Sequence, residues 1–254
     1  MLREPHPRFM ARRPPQIVAF GGGGFSMESI PLLDDFVLKL TDEERPKVCF
    51  LPSASGDADH YVVRFYRAFP PSRCEPSHVS LFRRDKGAGL GCDVATHLLS
   101  QDLIYVGGGS VVSLLGVWAA HGIDEVLREC WLRGIVLCGL SAGSLCWFAD
   151  AVTAFHGPPQ RLAGLGLLPY SNCVHYDGEP ARRESYHRFL SAGMAPGYAA
   201  GDGAALHFKG ESLAGVVSSR PQATAWWVEE VGGDISEVAL PVRLLGESFA
   251  LTAA

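Results

Sequence analysis

The scarcities in this 254-residue chain narrow its reading first. Only 19% of its residues are charged and the net charge is −5, so there is no basic stripe to follow a nucleic-acid backbone, and no nucleic-acid partner is expected. No apolar run approaches the roughly 20 residues that span a bilayer, so no membrane partner is expected either. The seven cysteines, at 49, 74, 92, 130, 138, 146 and 173, are odd in number, contain no C-x-x-C pair and lie mostly inside apolar runs. That argues against a disulfide framework or a zinc site and for a reducing, cytoplasmic setting. Arg3, Arg8, Arg12 and Arg13 cluster at the amino end, but no apolar core of a signal peptide follows them. Residues 1–14 are expected to be a disordered leader, and residues 15–254 a single α/β domain. A hydrophobic content of 47% suffices for the core of one such domain, whereas two would each be small.

Short apolar runs alternating with amphipathic stretches set the architecture. Gln16–Phe20, Lys47–Leu51, His78–Leu81 and Asp102–Val106 read as strands. Helices are expected around Leu33–Leu40, Tyr61–Phe69, Val94–Leu99 and Val111–Trp118, with a polar, glycine-bearing loop between Arg83 and Gly91. This rhythm predicts a mostly parallel sheet flanked by helices on both faces. Leu213–Val217, Thr224–Val228 and Val242–Leu245 read as antiparallel strands near the C-terminus. The first strand runs into Gly21-Gly22-Gly23-Gly24, which suggests a dinucleotide fingerprint. The third small position falls on Ser26 or Met27, however, and the second strand ends in Pro52-Ser53-Ala54 without a ribose-binding acid. The glycines are better read as a close approach of backbone to a crevice, or as a turn.

The most informative stretch is Ile135-Val136-Leu137-Cys138-Gly139-Leu140-Ser141-Ala142-Gly143. A buried strand enters G-x-S-x-G, and a helix is expected through Leu145, Cys146, Trp147 and Phe148, which is the context of a nucleophile elbow. The alternative is a tight turn whose serine caps the next helix. One βα unit earlier, Tyr105-Val106 ends in Gly107-Gly108-Gly109-Ser110. Its bare N–H groups can join that of Ala142 to hold an oxyanion, although a simple turn fits the same letters.

A serine nucleophile needs a base, and histidine is the usual one. His175 closes a short apolar strand after the elbow and is favoured by position, with His60 and His156, read as loop residues, left open. Thr153 to Leu168 reads as an irregular loop, and a helix is expected from Arg182. For the acid that orients the base, Asp202, Asp177, Glu179 and Asp150 compete; Asp202 lies in Gly201-Asp202-Gly203 at a strand end, a context that also suits a turn. The order Ser, His, Asp differs from the Ser, Asp/Glu, His of α/β-hydrolases.

The motifs Tyr105-Val106-Gly107-Gly108-Gly109-Ser110, Gly139-Leu140-Ser141-Ala142-Gly143-Ser144, Gly166-Leu167-Leu168-Pro169 leading to His175, and Gly201-Asp202-Gly203-Ala204-Ala205-Leu206 together resemble the peptidase E, or aspartyl dipeptidase, family of serine peptidases. Its distant relatives include the cyanophycinases. The resemblance covers nearly the whole chain from Gln16. It implies a flavodoxin-like fold similar to that of class I glutamine amidotransferases, with Ser141 as nucleophile, His175 as base, Asp202 as acid, and Gly108, Gly109 and Ala142 around the oxyanion. The aspartyl dipeptidases carry glutamate where this chain has Asp202, one methylene shorter, so the loop must sit closer or water must intervene. They also carry asparagine at the position of Ser110, and an arginine downstream of the histidine that Arg182 or Arg183 can match. The implied function is a serine exopeptidase acting on short peptides, with an N-terminal aspartate preference and no metal or organic cofactor. An amidase or cyanophycinase-like isopeptide hydrolase, or a non-catalytic ligand-binding protein on the same fold, are the alternatives. A homodimer stays open.

Overall fold

The structure is a computed structural model that describes residues 13–82 and 93–246. Arg3, Arg8, Arg12, the 83–91 loop and Cys92 lie outside the described residues. Arg13, expected in the leader, is instead held near Glu43 (3.4 Å) and Asp102 (3.7 Å).

Strands β1 (Gln16–Phe20), β2 (Lys47–Leu51), β3 (Glu75–His78), β4 (Leu103–Val106) and β5 (Val136–Leu140) form the parallel part of an eight-stranded sheet. The remaining strands of that sheet are β10 (Ala204–Lys209), β11 (Ser212–Ser218) and β14 (Val242–Leu244), in the order β14-β11-β10-β1-β5-β4-β2-β3. Each parallel strand in the middle of the sheet reads as an apolar run because both of its faces are covered. On β1, Val18 and Phe20 face the core beneath α1 (Leu32–Lys39) and α2 (Asp59–Ala68). Ile17 and Ala19 face the opposite core, with α3 (Val94–Leu99), α4 (Val111–His121) and α5 (Ile123–Leu132).

The expectation of one sheet needs enlarging. A second, six-stranded sheet is built from β6 (Phe148–Thr153), β7 (Gln160–Ala163), β8 (Leu168–Val174), β9 (Gly197–Ala200), β12 (Ala225–Val231) and β13 (Asp234–Ala239), in the order β13-β12-β9-β8-β6-β7. Its inner residues Phe148, Ala151, Val174 and Tyr198 share the core with Leu206, Phe208 and Val216 of the first sheet. Its outer side packs on α7 (Pro180–Ser191) through Tyr186 and Leu190.

Four local expectations change. The helix after the elbow, α6, is a single turn, Ala142–Leu145, and Phe148 already begins β6; a short apolar run does not by itself distinguish helix from strand. The supposed irregular loop 153–168 contains β7, which pairs antiparallel with β6. The third strand lies three residues earlier than expected, at the sheet edge, where Pro76 removes a donor that an edge strand can spare. Finally, β14 runs parallel to β11, while β10, β11, β12 and β13 form the antiparallel pairs expected near the C-terminus.

An aromatic cluster fixes the wall above the sheet's carboxyl edge. Phe25, just beyond the first glycine run, packs against Phe50, Tyr61, Phe65, Phe69 and Tyr105 with ring centroids 5.2–5.9 Å apart. Burying each such ring is worth roughly 1.5–3 kcal/mol. The cluster therefore locks α2 and the turn after β1 to one place.

Candidate active site

Sheet register does the assembling. Phe20 pairs with Leu140 and Val106 with Gly139, so the chain leaves β1, β4 and β5 at one edge as Gly21, Gly107 and Ser141. Open α/β sheets bind ligands at such an edge. On the second sheet Val174 pairs with Ala200, which brings His175 beside Gly201. The antiparallel pairing of Phe20 with Ala205 returns Asp202 to the same edge.

Ser141 sits in a backbone conformation rare for residues other than glycine, with φ 52° and ψ −112°. Its side chain does not cap α6, which removes the capping alternative. The turn is tight enough that a Cβ on Gly139 would collide with the Gly143 carbonyl, and one on Gly143 with the Val106 carbonyl. His175 also has a positive φ, 54°. Conformations of this kind cost on the order of 1–3 kcal/mol each and persist where the surroundings over-determine them.

The three residues meet in a line. His175 Nδ1 lies 2.6 Å from Asp202 Oδ1, and Nε2 lies 3.0 Å from Ser141 Oγ. The hydrogen bond from His175 holds the Asp202 carboxyl below the usual aspartate range, against a smaller opposing push from burial. An ionised carboxylate only accepts, so Nδ1 carries the proton and Nε2 is left to accept from the serine hydroxyl. The shorter acid reaches the base directly because Gly22 gives it room: a Cβ there would fall on Asp202 Oδ1 and come within 3.0 Å of His175 Cε1. The Gly203 N–H donates to the Gly22 carbonyl (3.0 Å) and the His175 N–H to the Gly21 carbonyl (3.1 Å). The first glycine run is thus the seat of the histidine and the acid, as its close-approach reading anticipates.

The rival acids are otherwise engaged. Asp177 accepts the Asp202 N–H (3.3 Å), Asp150 pairs with Arg161, and Glu179 pairs with Arg182. His156 approaches Ser110 Oγ (2.7 Å), and His60 lies on the first turn of α2, not in a loop.

The profile of peptidase family S51 matches residues 17–216. The chain belongs to peptidase family S51. It is 47% identical over 233 residues to the uncharacterized peptidase YgaJ of Bacillus subtilis (strain 168), covering 91% of this chain and 99% of that one. It is 27% identical over 200 residues to Peptidase E of Pasteurella multocida (strain Pm70), covering 74% and 80%. Among solved structures, a peptidase from an acI-B1 Actinobacterium superposes with a TM-score of 0.68 at 16% identity, covering 94% of this chain and 98% of that one. A putative Peptidase E protein from Listeria monocytogenes EGD-e superposes with a TM-score of 0.58 at 19% identity, covering 81% and 98%. Membership makes the chain a serine peptidase. No helix among the described residues is long and apolar enough to cross a membrane.

In the peptidase, Ser141, Ala142, Gly108, Gly109, His175 and Arg182 all line one cavity of about 410 Å³. The Gly108 N–H donates to the Tyr61 hydroxyl (3.1 Å), so it is engaged inside the fold. The Gly109 N–H has no acceptor among the described residues, and that of Ala142 opens α6, where the first N–H groups lack intrahelical acceptors. Ser110 does not line the cavity. It is buried, and its Oγ caps α4 by accepting the Ser113 N–H (3.1 Å). Arg183 does not line it either, and pairs with Glu237. Both are corrections to the expected substrate-binding set: a serine after a glycine run is also a good cap, and neighbouring helix positions point about 100° apart.

The sequence reading missed several other residues of the cavity: Tyr61 and Arg64, at i and i+3 on α2, line it together with Met27 and Phe155. Arg64 donates to the Ser26 carbonyl (2.7 Å). Their helical spacing was visible, but nothing in it said that this face meets a cavity.

Proposed function

We propose that the peptidase hydrolyses short peptides as an exopeptidase through Ser141, His175 and Asp202. Ser141 Oγ attacks the scissile carbonyl while His175 Nε2 takes its proton and then delivers it to the leaving amine. Asp202 fixes the tautomer and stabilises the imidazolium that forms. The N–H groups of Ala142 and Gly109 face the oxygen that becomes negative, with Gly108 bracing the loop through Tyr61. The observation that carries this reading is the pair of hydrogen bonds on opposite nitrogens of His175, 2.6 Å and 3.0 Å. The cavity volume of about 410 Å³ lies in the range of small-ligand pockets, which suits a di- or tripeptide better than an extended chain. Arg182 on the cavity wall supports recognition of an acidic group such as an N-terminal aspartate side chain, because guanidinium groups bind carboxylates through two parallel bonds.

The test is a mixed library of di- and tripeptides scored by mass spectrometry, with wild type beside Ser141→Ala. Wild type is expected to cut short peptides, those beginning with aspartate foremost, and the variant to lose about three or more decades of kcat. A variant that keeps most of its activity refutes the serine assignment. Cleavage confined to isopeptide-linked substrates refutes the dipeptidase reading and leaves the nucleophile intact.

A further inference from the structure

The hairpin β12–β13 lies C-terminal to the residues matched by the family profile, and it carries a carboxylate that the triad itself does not use. Glu237, on β13, is mostly covered, with 15% of its side chain exposed. It accepts from the Tyr176 hydroxyl, from Arg183 through both Nε (3.1 Å) and a terminal nitrogen, and lies 2.6 Å from His187 Nε2. Arg183 and His187 are four apart on α7 and so share one face. Tyr176 is the residue directly after the catalytic histidine, and it is 1% exposed. Its ring is wedged between Trp226 (5.2 Å) and Tyr186 (6.2 Å), with the Arg183 guanidinium over it at 5.3 Å.

His175 needs such an anchor. Its positive φ is disfavoured for any residue with a Cβ, and a chain released from restraint would relax it. Main-chain bonds hold part of it: the Tyr176 N–H donates to the Ala200 carbonyl (3.2 Å) and the Glu179 N–H to the His175 carbonyl (3.0 Å). The Tyr176 side chain adds a lever whose far end is fixed by the Glu237 carboxylate. Ala200 also stands two residues before Asp202, so the same pin steadies the acid.

We infer that Glu237 is a positioning residue for the reaction: by anchoring the Tyr176 hydroxyl, it holds His175 in the strained backbone conformation from which the imidazole spans Ser141 and Asp202. The inference rests on the triad proposed above. It assigns the C-terminal hairpin a part in catalysis without contact with substrate. Removing the anchor therefore slows the chemical step, while peptide binding, made by the cavity walls, stays.

Full-length wild type, Ser141→Ala, Glu237→Gln and Tyr176→Phe are compared in three measurements: the rate of Ser141 modification by a fluorophosphonate, kcat and KM on a peptide that wild type cuts, and the thermal midpoint. All rates are taken well below the lowest midpoint. Both anchor variants are expected to lower the modification rate and kcat together by about ten- to a hundredfold, as small misplacements of reacting groups do, with KM within about threefold of wild type. Should Glu237→Gln fail to fold, Tyr176→Phe decides, because it leaves Glu237 paired with Arg183 and His187. Variants that melt earlier yet react with the fluorophosphonate at the wild-type rate overturn the inference and leave the triad standing. If wild type itself does not react, the triad and the inference fall together.

Discussion

Gly22→Ala is the sharpest probe of how this site is assembled. The glycine contacts no substrate in the proposed mechanism and belongs to a run that imitates a nucleotide-binding loop. A methyl group placed there lands on Asp202 Oδ1 and at 3.0 Å from His175 Cε1. Ordinary contact between such atoms begins near 3.5 Å, so the carboxylate must retreat by more than about 1 Å. The bond it would lose is the 2.6 Å contact that sets the histidine tautomer. A displacement of about 1 Å in a reacting group can cost about a hundredfold, and a wrong tautomer about ten-thousandfold. The expected fall in kcat therefore lies between about two and four decades, with the fold retained, since the methyl presses only on the side chains of Asp202 and His175 and on no backbone atom among its nearest neighbours. The assay is kcat on a cleaved dipeptide together with the thermal midpoint. Gly116→Ala, inside α4 with open space around the new methyl, is the control, expected to keep activity and to gain up to about 1 kcal/mol of stability from helix propensity. A Gly22→Ala enzyme that retains more than half its activity refutes the claim that Asp202 reaches His175 through the space this glycine leaves.

Two other outcomes concern a buried aspartate and the neighbouring arginines of α7. Asp34 is buried with one oxygen 3.1 Å from the Tyr105 hydroxyl and the other without a partner; burial pushes its pKa up to about 7, and the Tyr105 hydroxyl and Arg73 only partly oppose this. The unfolded chain releases that proton near pH 4 and the folded chain near pH 7. The group's contribution is thus fully present below about pH 4, declines as pH rises, and is lost above about pH 7, a total of roughly 4 kcal/mol at most. Asp34→Asn is expected to flatten this slope in urea titrations at pH 5 and pH 8, with most of the gain at pH 8; an unchanged slope refutes the burial of a proton. The adjacent arginines should separate cleanly: Arg182→Ala is expected to raise KM for peptides with an acidic first residue by about tenfold or more, the scale of a charged hydrogen bond, while Arg183→Ala leaves KM within about twofold. Equal KM effects in the two variants contradict the placement of only Arg182 on the cavity wall.

The chain's own letters determined the local parts of this protein. The buried runs Gln16–Phe20, Lys47–Leu51 and Leu103–Val106 announce parallel strands because both sides of such a strand must be apolar. Gly139-Leu140-Ser141-Ala142-Gly143 announces an elbow because only small residues admit the turn, and Gly201-Asp202-Gly203 marks an acid held close to backbone. Tertiary structure decided everything that depends on register between distant segments. The second sheet was hidden because the start of β6 reads as the continuation of the helix after the elbow and β7 as part of a loop. Ser110 and Arg183, plausible from their neighbours in sequence, were turned away by a helix cap and by a glutamate more than fifty residues downstream. His175 and Asp202 meet because β8 pairs with β9 and β10 returns beside β1. Pairings of that kind are set by the packing of whole sheets, so local sequence pattern names the candidate groups, and only the folded chain brings them within a hydrogen bond of one another.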